Sequence, residues 1–150
     1  MASLEATSGE DPPLFSAAAR GNVEAVRKLL DAGADVQSRD RGGLTALHAA
    51  CLEGTLGGLE VAALLLERGA SVAARDAGGA TPLHAAAAAG SLPTVELLLA
   101  KGGDAAAIVD AGSWGALHMA AQSGSVECVD ALVAAGAAVD EPDADGWTPL

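Results

Sequence analysis

The 150 residues match the length of one domain, and a 51% hydrophobic share is too high for a disordered chain. Eight Lys and Arg against 20 Asp and Glu give a formal charge of −12, which opposes nucleic-acid phosphates and anionic membrane surfaces as partners. The apolar residues are mainly Ala, Leu and Val with one Phe, two Trp and no Tyr, a composition suited to thin layers of closely packed helices and not to one thick aromatic-filled core.

The first residues are acidic through Glu5, Glu10 and Asp11 and lack an apolar run, which argues against a secretory signal or an Arg-rich transit peptide. Residues 1–6 are read as a tail. A repeating pattern then begins. Pro12-Pro13-Leu14-Phe15-Ser16-Ala17-Ala18 is a degenerate first copy, followed by Thr45-Ala46-Leu47-His48-Ala49-Ala50 and Thr81-Pro82-Leu83-His84-Ala85-Ala86. Gly115-Ala116-Leu117-His118-Met119-Ala120-Ala121 is the next copy, and Thr148-Pro149-Leu150 begins another. The key Leu recurs at 14, 47, 83, 117 and 150, spacings of 33, 36, 34 and 33, so a base period of 33 with two short insertions accounts for all of them.

A second signal follows each key Leu by 15 to 18 residues: Leu29-Leu30, Leu65-Leu66, Leu98-Leu99 and Leu132-Val133. Each unit therefore reads as two helices. The first is short and Ala-rich, as from Leu47 to Glu53, and the second carries apolar residues at helical spacing, as Val95, Leu98 and Leu99. Gly33, Gly69, Gly102 and Gly136 suit the left-handed turn that closes a helix. Polar turns separate the units: Asp40-Arg41-Gly42-Gly43, Asp76-Ala77-Gly78-Gly79, Asp110-Ala111-Gly112-Ser113 and Asp143-Ala144-Asp145-Gly146, with the Asp and Gly chemistry of tight hairpins.

The ordered pattern Thr-Pro-Leu-His-x-Ala-Ala, a Leu-Leu helix ending in Gly-Ala, then Asp-x-x-Gly closely resembles the ankyrin repeat over residues 7–150. The resemblance implies an all-α-dominated solenoid of helix-turn-helix units with β-hairpin or turn connections. Units are expected near 7–39, 40–75, 76–109 and 110–142, with a stub at 143–150. The second unit carries about three extra residues near Thr55-Leu56-Gly57 and the third one extra near Gly103-Asp104, so loops are expected to bulge at both places. Because the chain stops inside a motif, the natural protein is expected to continue.

His48, His84 and His118 occupy the same place in successive units. Packed helices lie about 8–10 Å apart whereas metal ligands converge within about 2 Å of one ion, so these rings cannot share a metal. The resemblance gives them a structural role, each ring tying the turn to the first helix beside Thr45, Thr81 and Thr148. Asp40, Asp76, Asp110 and Asp143 are demanded by every turn in the same way. Lys101-Gly102-Gly103-Asp104 lacks the spacing and the Ser or Thr of a phosphate loop, and no nucleophile motif is present. Cys51 and Cys128 are too few for a disulfide framework or a zinc site and read as buried thiols, which points to an intracellular (cytoplasmic or nuclear) protein. Neither a cofactor nor a metal is expected, and the chain is read as non-catalytic.

In a solenoid, the residues that the scaffold does not dictate line the concave binding surface. Carried over from the ankyrin pattern, these are the hairpin tips, the residue before each Thr-Pro-Leu-His and the exposed end of each first helix. Here they are Arg39, Arg41, Leu44, Leu52, Glu53 and Arg75, then Ala77, Ala80, Ala88 and Ala89, then Ala111, Trp114, Gln122, Ser123, Ala144 and Trp147. Thr55 to Gly58 is a further loop candidate. Trp114 and Trp147 are the only tryptophans and stand at equivalent positions, either as interface anchors or as indoles packed across the hairpins.

All eight bases lie within the first 101 residues beside 12 acids, while the remaining residues carry eight acids and no base. A basic partner protein is therefore expected at the acidic C-terminal third, through Asp140, Glu141, Asp143 and Asp145. The expected function is a monomeric protein-binding scaffold or adaptor. The alternatives are a substrate-targeting module of a longer enzyme and a stand-alone inhibitor of an enzyme.

Overall fold

A computed structural model describes residues 11–107, 114–140 and 142–149. Four helix pairs follow one another: α1 (Pro13–Ala19) with α2 (Val23–Asp31), α3 (Ala46–Glu53) with α4 (Leu56–Glu67), α5 (Pro82–Ala89) with α6 (Leu92–Ala100), and α7 (Ala116–Ser123) with α8 (Val126–Ala134). Within each pair the helices pack on each other. Between pairs, α1, α3, α5 and α7 form one row and α2, α4, α6 and α8 a second. Every unit thus touches only its neighbours, which makes the molecule an all-helical solenoid.

The Ala-rich composition permits this stacking. Ala46, Ala50, Ala86, Ala87, Ala116 and Ala120 are buried, and their methyl side chains leave room for close approach between first helices. The key leucines Leu14, Leu47, Leu83 and Leu117 are buried at successive levels, facing Leu65, Leu98 and Leu132 of the second row in one continuous core. Each second helix ends on a glycine at positive φ: Gly33 at 94°, Gly69 at 93°, Gly102 at 93° and Gly136 at 100°. There the next N–H returns to a carbonyl of the last turn, as from Ala34 to Leu29 and from Ala70 to Leu65.

Two expected loop bulges are corrected. The extra residues near Thr55-Leu56-Gly57 are absorbed into α4, which has 12 residues where α2, α6 and α8 have nine. Three residues make almost one helical turn of 3.6, so the helix lengthens without rotating its apolar face. Thr55 is the N-cap of that helix, and Thr55 to Gly58 is helix start, not loop. Its glycines are needed because a Cβ on Gly57 would lie 2.8 Å from the Gly21 carbonyl oxygen and one on Gly58 2.5 Å from that of Ala50.

At the second place, Gly103 donates to the Leu98 carbonyl just as Ala34, Ala70 and Ala137 do to Leu29, Leu65 and Leu132. Asp104 accepts from the Ala106 N–H as Asp35 does from Gln37. The register is therefore intact to Ala107, and the additional residue falls between Ala107 and Trp114. The expected turn at Asp110-Ala111-Gly112-Ser113 and the final Leu150 lie outside the described residues.

Candidate protein-binding surface

Among the described residues, three turns at the ends of units are each organised by one carboxylate. Asp40 Oδ1 accepts from the N–H groups of Gly42 and Leu44, Asp76 Oδ1 from Gly78 and Ala80, and Asp143 Oδ1 from Asp145 and Trp147, all at 2.8–2.9 Å. Among the described residues these hairpins contain no extended strand, and the turn after α2 is closed by a single antiparallel bridge between Arg39 and Thr45. Successive turns are joined by the Ala77 N–H donating to the Gly42 carbonyl at 2.9 Å. Gly43, at φ +78°, lies so close to that junction that a Cβ would sit 2.9 Å from the Ala77 nitrogen.

Arg39 and Arg75 belong to the same framework. Arg39 donates to the carbonyls of Gly43 and Arg75 at 2.7 and 2.6 Å, and Arg75 donates to the Gly79 carbonyl at 2.8 Å. Their guanidinium groups hold the hairpins in shape. Glu53 is likewise turned inward: its Oε2 accepts from the N–H groups of Thr55 and Gly58 and from the Thr55 hydroxyl, capping α4. Ser123 donates to the Ala120 carbonyl and accepts from Ser125 N–H at the α7–α8 junction. Arg41 is exposed on its hairpin, Leu44 is half-buried, and Leu52 is 50% exposed at the end of α3. Ala77, Ala88, Ala89 and Ala144 are exposed, Ala80 is half-buried, and Ala111 lies outside the described residues.

The histidines use both ring nitrogens for the scaffold. His48 Nδ1 accepts from the Thr45 N–H at 3.1 Å, which leaves the proton on Nε2, facing the Ala80 carbonyl of the next unit at 2.9 Å. His84 repeats this with Thr81 and with Ala107, and His118 with Gly115 and the Trp147 carbonyl at 3.2 Å. No lone pair is left for a metal. Burial holds the pKa of His48 and His84 below the usual histidine value, partly offset by the carbonyl partners Ala80 and Ala107.

One concavity collects several of the expected contact residues. A groove of about 460 Å³ lies between the last described hairpin and α7, lined by Trp114, Ala121, Gln122, Asp145, Trp147 and Pro149. The two indoles differ. Trp114 is half-buried and stacks on His118, ring centroids 5.9 Å apart and planes at 29°, so it also packs against the scaffold. Trp147 is 73% exposed, and only its backbone serves the turn, through Asp143 and His118. Asp143, expected both as a turn residue and among the acids facing a partner, is buried in its turn, whereas Asp140 and Asp145 are exposed. Glu141 lies outside the described residues.

Of the sequence candidates, Trp114, Gln122 and Trp147 come together in this groove, while Arg39, Glu53, Arg75 and Ser123 hold the framework. Sequence reasoning missed Ala121 and Pro149 as lining residues, which the scaffold motif itself contains. The framework role of Arg39 and Arg75 did have a signal, since they recur 36 residues apart, in step with Leu47 and Leu83.

Two rows of helices with an irregular, partly aromatic edge define a repeat solenoid that offers a recognition surface. The family model for ankyrin repeats (three copies) matches residues 14–110 and 83–150. The chain belongs to the ankyrin repeat family. Such repeats are generally protein–protein interaction modules and typically lack catalytic function. Among the described residues no helix is long and apolar enough to cross a membrane.

Proposed function

We propose that this chain is a monomeric, intracellular scaffold or adaptor that binds a partner protein across its hairpin tips and the exposed ends of its first helices. Arg41, Leu44, Leu52, Trp114, Gln122 and Trp147 make the contacts, and Arg39, Glu53, Arg75 and Ser123 keep the surface in shape. The observation that carries the reading is Trp147, a large indole left 73% exposed beside a groove although its backbone alone completes the turn. Exposed aromatic residues beside a concavity are the usual anchors of protein interfaces. The eight acids and absence of bases beyond Lys101 support a partner with a basic contact surface.

The test is selection of binders from a random-peptide library displayed on phage, with the 150-residue chain as bait. Binders are expected to lose roughly tenfold in affinity on Leu52→Asp combined with Trp147→Ala, about the loss expected for one hot spot. Binders that instead map to the outer row α2, α4, α6 and α8, or a failure to select any, would overturn the reading. Sedimentation of the unliganded chain as a dimer would remove the monomer assignment.

A further inference from the structure

We propose that the groove between Trp114 and Trp147 receives an arginine side chain of the partner polypeptide, its guanidinium lying on the Trp147 indole and pairing with the Asp145 carboxylate. The inference rests on the protein-binding reading and names the anchor for that site. Trp114 is fixed against His118 and forms a rigid wall. Trp147 supplies the exposed π surface opposite. Asp145 supplies a carboxylate in the same lining, whose Asp145 N–H, not its side chain, is engaged by the turn through Asp143.

Charge selects the class of occupant. No Lys or Arg lines the groove, and the sequence beyond Lys101 carries acids only, so a phosphate-bearing ligand is repelled. An apolar anchor would bury the Asp145 carboxylate without a partner, which is costly. A cation satisfies both walls at once. Between the two cationic side chains, the planar guanidinium stacks on an aromatic face while donating in a fork to a carboxylate, whereas an ammonium is a compact, strongly hydrated point charge. The Gln122 amide, exposed on α7 at the same groove, is placed to pair with the backbone of the segment that carries the arginine.

The probe is acetyl-Gly-Arg-Gly-amide titrated into the chain to millimolar concentration, with lysine and citrulline counterparts, following the two indole N–H resonances by NMR. The arginine peptide is expected to shift both indoles saturably, with citrulline roughly tenfold weaker and lysine about threefold weaker. Trp147→Ala and Asp145→Asn are each expected to weaken binding at least about fivefold, and Trp147→Phe to restore most of the loss. Asp130→Asn, which removes one exposed charge from α8, is expected to stay within about twofold. Should Trp147→Ala not fold, Asp145→Asn alone carries the comparison.

No saturable shift, or equal losses for Asp145→Asn and Asp130→Asn with none for Trp147→Ala, would overturn the proposal in favour of diffuse charge attraction. If phage-selected binders depend on Arg41 and Leu52 but tolerate Trp147→Ala, the protein-binding reading stands and the arginine anchor falls. If none is selected and the arginine peptide gives no saturable shift, both fall.

Discussion

His84 concentrates the residue-scale energetics. Its ring is fully buried, accepts from the Thr81 N–H and bonds to the Ala107 carbonyl, so removing it orphans a buried donor and a buried acceptor. Each orphaned group costs about 1–3 kcal/mol, so His84→Ala is expected to lower stability by about 2–6 kcal/mol in urea unfolding. A loss below about 1 kcal/mol would contradict the ring's bridging role. The same burial sets a pH dependence. His48 and His84 have lowered folded-state pKa values, so below about pH 6.5 the unfolded chain takes up protons that the folded chain refuses. Their contribution is complete above that pH and declines as pH falls, by at most about 1.4 kcal/mol per pH unit for each ring. The urea midpoint is therefore expected to drop between about pH 6.5 and 5, with a smaller drop in a His84→Gln variant. Burial also pushes the Cys51 thiol up to about 12, and it should not react with a thiol reagent at neutral pH until the chain unfolds.

At the scale of elements, α4 illustrates how a repeat tolerates extra length. One added turn keeps Leu65 and Val61 facing the core and moves the helix start against Gly21 and Ala50. Gly58→Ala would place a methyl 2.5 Å from the Ala50 carbonyl oxygen, and backbone must shift to admit it. A loss of about 1–3 kcal/mol, the range for overpacking, is expected in a denaturant melt. Gly69 has open space but φ +93°, so Gly69→Ala pays only backbone strain of about 1 kcal/mol. Reversal of that order would move the packing of α4 off Ala50. Leu98 is fully enclosed between α6 and its neighbours, and Leu98→Ala is expected to cost about 2–5 kcal/mol through the cavity left behind.

For the whole molecule, stability is a sum over neighbouring pairs, because α3 is packed by both α1 and α5 while α7 has only α5 on its described side. Leu65→Ala should therefore lower amide protection in α1–α2 and α5–α6 as well as in its own unit, whereas Leu132→Ala should loosen α7–α8 first. Hydrogen exchange read helix by helix distinguishes this gradient from the uniform loss of a single cooperative globule.

The period of 33, the helix pairs and the glycine helix ends were legible in the sequence, because each is imposed by local backbone chemistry and repeated in every unit; the histidines recur in three units, and their structural role followed from the resemblance. Leu14, Leu47, Leu83 and Leu117 mark the core by recurrence alone. Only the tertiary structure decided where the inserted residues went, since helix extension and loop bulging differ in what they pack against, and Gly21 and Ala50 come from other elements. It also decided that Arg39, Arg75 and Glu53 face the framework while Trp147 faces outward. Long side chains can reach either way: Arg39 is drawn to the Arg75 carbonyl that stacking brings near from the next unit, whereas Glu53 and Arg75 turn back to the N–H groups of Thr55 and Gly58 and to the Gly79 carbonyl, which only the folded turn places within reach.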